Sequence, residues 1–211
     1  MGKVQVFWFK EKQYTSNYTW LTENQWVDYK IEGDKLKVEK GYSWGGDRAL
    51  GVPPRSEKTS ETYKLRFPVL IVHERKEETN CYIWVRLHLE LMFAPIDSVW
   101  RSVTYHPHSS RNCPYPVAEI DENGEYYLEC ECQDWISESK TLIEEIKQRI
   151  KDDMTLDEVY EIFKLIDDAR ERVFGETYCN RCGEHIQEQA VAIKGFKFCD
   201  KCAKIYQNKT Q

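Results

Sequence analysis

No stretch of this chain stays apolar long enough to cross a membrane as a helix; the most apolar segment, Ile83 to Leu91, is interrupted by Arg86, His88 and Glu90. Membrane insertion of that kind is excluded. An excess of basic residues is also missing: 30 lysines and arginines face 36 aspartates and glutamates, a formal net charge of -6. Such a field repels phosphate backbones, which disfavours nucleic acid as a bulk partner. There is no Gly-rich phosphate loop, no Ser/His/Asp order, no internal repeat and no low-complexity tract, and Gly45-Gly46 alone is too short to count. The opening Met-Gly-Lys-Val carries no apolar signal segment, so the expectation is a cytoplasmic protein with reduced thiols.

What the chain does have is cysteine in a telling arrangement. Cys179-Asn-Arg-Cys182 and Cys199-Asp-Lys-Cys202 are two CxxC knuckles separated by sixteen residues, a spacing that closes a tetrahedral thiolate site. The tail from Tyr178 to Ile205 holds only Ile186, Val191, Ile193, Phe196, Phe198 and a few alanines as core material. Metal binding would therefore supply most of its folding free energy. One structural Zn2+ is expected, with Cys179, Cys182, Cys199 and Cys202 as ligands and no open position for catalysis. Two disulfides are the competing reading. Arg181, Lys194, Lys197, Lys201, Lys204 and Lys209 outnumber the acids of this tail and read as solvated surface. Cys182-Gly183, Ile186, Ala192 before Lys194-Gly195, and Phe198 before the second knuckle resemble the treble-clef zinc finger of DnaK-suppressor/TraR-type regulators and, more loosely, half of a LIM domain. That resemblance implies, as an alternative function, a transcription regulator that contacts RNA polymerase through its helix pair and zinc finger.

The first 135 residues read as strands. Val4 to Phe9, Leu36 to Val38, Tyr63 to Phe67 and Tyr82 to Met92 alternate, clearest where Ile83, Val85, Leu87, Leu89 and Leu91 share one face. A half-buried antiparallel sheet is expected, with Tyr42 to Ser60, rich in Gly, Pro, Ser and charge, as a long surface loop. After Trp135 the period becomes helical. Leu142, Ile143, Ile146 and Ile150 form one face and Leu156, Val159, Phe163, Ile166, Ala169 and Val173 another, with Thr155 and Glu158 as a capping box and Gly175 as the stop. The fold class is α+β: a β-rich domain over residues 1–138, a helix pair over 139–174 packed on the sheet, and a four-cysteine finger over 175–211. Asp152-Asp153 and Asp167-Asp168 read as solvated acid pairs. Seven tryptophans are available for core or contact surface.

Val103-Thr104-Tyr105-His106-Pro107-His108, Asp121 to Leu128, Trp135 and then Leu142, Ile143 and Ile146 resemble the core signature of the ubiquitin-conjugating enzyme fold, across roughly residues 63–150. That signature has Tyr-His-Pro-Asn, a Gly three residues before the catalytic cysteine, and a Trp eight residues beyond it. Counting from Gly124 and from Trp135 both lead to Tyr127, a phenol of pKa near ~10 that cannot form a thioester. The likeness is therefore to the catalytically inactive conjugating-enzyme variants. It implies no catalytic residue, His108 in place of the oxyanion-stabilising Asn, and an adaptor that binds a protein partner such as a ubiquitin-like protein. From donor types alone, His106, His108, Cys113, Cys130 and Cys132 are candidates for a second metal or a displaced reactive thiol, which would make the protein an enzyme instead.

Overall fold

The computed structural model describes residues 3–15, 22–46, 50–79, 83–105, 116–120, 126–130, 133–187, 189–193 and 195–208. Alternation along β6 (Ile83–Ala94) puts Leu87, Leu89 and Leu91 on one buried face, as the sequence predicts. Its neighbours are β5 (Val69–Thr79) and β7 (Asp97–Tyr105), both antiparallel to it. On the other side of β5 runs β1 (Lys3–Thr15), followed by β2 (Thr22–Glu32), β3 (Lys35–Trp44) and β4 (Arg55–Lys64). The order β4-β3-β2-β1-β5-β6-β7, with β10 (Asp153–Thr155) added to β1, makes an eight-stranded, mostly antiparallel sheet. The β1–β5 pair is parallel, a departure from the wholly antiparallel expectation.

Two further expectations are corrected. The segment read as a loop from Tyr42 to Ser60 contains the end of β3 and the first part of β4, paired in continuous register from Lys35↔Lys64 to Trp44↔Arg55. Nearly every side chain of β4 is exposed, so no apolar period marks it; its Lys, Glu, Ser and Thr residues suit an edge strand that must resist further pairing. The strand expected over Tyr63 to Phe67 stops at Lys64, and Leu65 turns inward to the core. Val69 to Val72, buried on both faces, forms the start of a central strand whose apolar run carries no alternation to read.

Two cores follow from the two faces. Against one face lie α1 (Gln133–Arg149) and α2 (Leu156–Phe174), whose Ile143, Ile146, Phe163 and Ile166 pack on Leu70, Val72, Leu87 and Leu89. On the opposite face Phe9, Val69, Ile71 and Met92 meet Val27 of β2 and Leu36 and Val38 of β3. Since β1 pairs with β2 only over Lys12–Thr15, the twisted sheet coils β2 and β3 back over that face. A small hairpin of β8 (Pro116–Ile120) and β9 (Tyr126–Cys130) precedes α1.

The capping box predicted at Thr155 is present. Glu158 N–H donates to Thr155 Oγ1 at 3.3 Å, and the Thr155 N–H donates to Glu158 Oε2 at 2.7 Å. Hydrogen bonds from Lys151 and Thr155 hold the Glu158 carboxyl down to about 2. Its contribution is present above the usual carboxylate value of ~4.3 and is lost as pH falls through that lowered value. Thr155→Ala is expected to cost about 1 kcal/mol in urea denaturation at neutral pH. Gly175, at φ 68°, ends α2 in the left-handed region, with its N–H donating to Glu171 O at 2.8 Å.

Candidate metal centre

After α2 the chain makes a first knuckle at Cys179–Cys182, the hairpin β11 (Val191–Ile193) and β12 (Phe196–Phe198), and a second knuckle at the start of α3 (Asp200–Asn208). The first knuckle closes on itself: Gly183 N–H donates to Cys179 O at 2.8 Å and Cys179 N–H to Glu184 O at 2.9 Å. Phe198, Ala203, Ile186, Val191 and Ile193 surround the sulfurs with a very small apolar cluster.

All four sulfurs lie within 4.8 Å of one another. Cys182 Sγ and Cys199 Sγ are 3.9 Å apart. A tetrahedron with Zn–S bonds of ~2.3 Å has edges of ~3.8 Å, so a zinc ion fits with little adjustment. The same 3.9 Å separation is far from the ~2.05 Å of a disulfide, and all four cysteines are free. The thiols themselves call for a cation. A hydrogen bond from Cys182 holds the Cys179 thiol down to about 4 and pushes Cys182 up in return. Burial and the Cys179 charge raise Cys202 to about 11. Cys179 ionises most easily and Cys182 and Cys202 then resist, an opposition that a dication removes. Arg181 Nη1, 3.8 Å from Cys202 Sγ, adds a positive group at the rim. Four thiolates fill the coordination sphere, so the ion would hold shape without an exchangeable position.

Behind the knuckle lies a buried polar network that the sequence reading missed. Arg101 on β7 donates from Nε and Nη2 to both oxygens of Asp167 on α2, at 2.7 and 3.0 Å. Its Nη2 also donates to Cys179 O at 2.8 Å, and its Nη1 to Trp100 O at 2.9 Å. Asn180 donates to Asp167 Oδ2 at 2.9 Å and accepts from Lys197 N–H at 2.7 Å. Arg101 and Asp167 are 2% exposed and Asn180 is 1% exposed. Asp167, expected on a solvated surface, is therefore the central acceptor of a junction between sheet, helix and finger. Burial pushes its carboxyl up, and the Arg101 guanidinium and Asn180 oppose that shift. Its neighbour Asp168 forms a half-buried pair with Lys164 one turn back on α2. A signal was available: on β7 the inward positions read Val99, Arg101, Val103, and an arginine in an apolar alternation needs a buried partner. Gly183, at φ 77°, sits so close that a Cβ there would lie 2.5 Å from Arg101 Nη1. Lys197, one of the basic residues assigned to the finger surface, pairs with Glu171 of α2.

His106, His108, Cys113 and Cys132 lie outside the described residues. Cys130 and Tyr127 are placed as backbone positions of β9, opposite Pro116 and Glu119 of β8. Trp135 opens α1, its ring 5.4 Å from that of Phe174. Among the described residues, no helix is long and apolar enough to cross a membrane. No family model matches the chain, and no curated protein or solved structure does.

Proposed function

We propose that this chain is a zinc-stabilised interaction protein of a reducing compartment, whose sheet domain binds a protein partner and performs no thioester chemistry. The observation that carries the reading is the closed four-cysteine centre bolted to the sheet by Arg101, Asp167 and Asn180. A site with no exchangeable ligand, joined rigidly to a larger domain, is built for shape. The succession of knuckle, hairpin and helix supports the treble-clef likeness. The succession of a β5-β6-β7 meander, a short hairpin containing Tyr127, and Trp135 at a helix start supports the likeness to inactive ubiquitin-conjugating variants. The N-terminal strands and the parallel β1–β5 pair are additions to that pattern. The core residues of α1 and α2 pack against the sheet, which favours a helix pair built into the domain over one that reaches RNA polymerase as a free arm.

The test is direct. With ubiquitin or a ubiquitin-like protein and its activating enzyme, the chain is expected to form no reductant-sensitive adduct and to bind the partner non-covalently. The readouts are non-reducing gels and calorimetry. A thioester mapped to Cys113, Cys130 or Cys132 overturns the reading and makes the protein a transferase with a relocated nucleophile.

A further inference from the structure

The face of the sheet that β2 and β3 cover in part carries a second set of metal donors, built of imidazole and carboxylate instead of thiolate. His73 on β5 and His88 on β6 are cross-strand partners, so their side chains stand next to each other on that face. Phe9 of β1 partners His73 on its other side, and Glu11, two residues on, falls on the same face. Glu90, two residues from His88, does as well. Glu11 Oε2 lies 3.3 Å from His73 Nε2, with side-chain exposures of 15% and 24%. Its Oε1 accepts from the Val27 N–H at 2.8 Å, which fixes the carboxylate beneath β2.

Two nitrogens of this set are buried without a hydrogen-bond partner, His73 Nε2 and His88 Nδ1. The Glu11 oxygen is near enough to His73 for an ion pair yet out of line for a hydrogen bond. Orphaned buried ring nitrogens are rare and call for a reason, and a neutral imidazole offers a lone pair that a metal ion takes. Burial pushes the His88 imidazole down, with Glu90 opposing, which favours the neutral form that ligates. Tyr29 and Trp100 wall the pair, at ring distances of 6.1 Å from His73 and 5.6 Å from His88. The nearby cations are Arg75 and Arg86, themselves cross-strand partners. Arg75 Nε is 3.9 Å from Glu11 Oε2 and its guanidinium 5.9 Å from the Trp84 ring, while Arg86 Nε donates to Ser102 Oγ at 3.2 Å. Glu11 and Glu90 balance these two arginines, so donor chemistry decides the ligand. Imidazole nitrogens with a carboxylate oxygen suit zinc, nickel, copper or iron, whereas magnesium and calcium take oxygen ligands.

We infer that His73, His88 and Glu11 form a second metal site, for a divalent transition ion such as Zn2+, on the face shared by β1, β5 and β6. Among the described residues only the four finger sulfurs already converge as a full ligand set, so the ion closes this second one by turning the two imidazoles about their side-chain bonds. Two nitrogens and one carboxylate leave a coordination position for water or another exchangeable ligand, which the four thiolates of the finger do not. The site is therefore weaker than the finger and fills after it. It stands independently of which partner the chain binds.

The probe is Zn2+ itself, titrated by calorimetry into full chain whose finger already carries one zinc, with Mg2+ as the control. A second saturable equivalent is expected with Zn2+ and none with Mg2+. His73→Ala and His88→Ala are each expected to weaken it about tenfold or more, since losing even an outer-shell partner of a ligand costs about that much. Binding is expected to fall as pH drops through ~6.5, where protons compete for the imidazoles. In proton NMR the ring signals of His73 and His88 are expected to shift with the second equivalent, and those of His185 in the finger to stay in place. Melting temperature checks each variant; should His73→Ala fail to fold, His88→Gln, at a half-buried position, decides the matter. No second equivalent, equal binding of Mg2+, or a second equivalent unchanged by the His73 and His88 substitutions each overturns the inference. So does one that disappears in His106→Ala/His108→Ala while His73→Ala and His88→Ala keep it, which places the ion elsewhere.

Discussion

Asp167→Ala is expected to lower the stability of the zinc-loaded protein by about 3–5 kcal/mol, measured by urea denaturation. The substitution leaves the Arg101 guanidinium buried without its counter-charge and takes the acceptor from Asn180. Truncating one partner of a buried ion pair costs far more than replacing both, since the remaining charge keeps its desolvation penalty. Arg101→Met combined with Asp167→Leu is accordingly expected to recover much of the loss. A cost below about 1 kcal/mol for Asp167→Ala alone would show that water reaches Arg101 and that the junction is not sealed. The change also reaches the finger: Arg101 holds Cys179 O and Asp167 holds Asn180, so a slackened junction is expected to weaken zinc affinity.

Short-range spacing made the metal centre readable. Cys179 and Cys182 are brought together by a tight turn, as are Cys199 and Cys202, and only the meeting of the two knuckles depends on tertiary structure. Helical period and alternation worked where one face is wet and the other dry, as in α2 and β6. They failed at the two extremes. Val69 to Val72 in β5 is dry on both faces and β4 is wet on nearly all positions, so neither shows contrast along the chain. The Arg101–Asp167–Asn180 junction depends on residues 66 and 13 positions apart, which no local pattern joins. A helical wheel places Asp167 beside Ile166 and Phe163 without saying whether an arginine waits opposite.

Removing zinc should have the largest effect of any single change. Purified chain is expected to carry one zinc, and a strong chelator or Cys182→Ser to release it, with apparent binding of structural zinc to such sites running about 10–16 kcal/mol at neutral pH. The apolar cluster around the sulfurs is too small to hold residues 178–205 without the ion, so that segment is expected to unfold. The loss should not stop there. With the knuckle released, Arg101 loses Cys179 O and Asp167 loses Asn180, so hydrogen exchange is expected to rise along β7 and the second half of α2 as well as in the finger, while β2 and β3 stay protected on the far face. Acid should mimic chelation, because protons compete with the metal for the four thiolates, and zinc release followed by a colorimetric chelator should rise as pH falls. Metal analysis that finds no zinc in protein with four free finger thiols would overturn the metal centre. Zinc release that leaves β7 and α2 exchange unchanged would retain the centre and cut its link to the sheet.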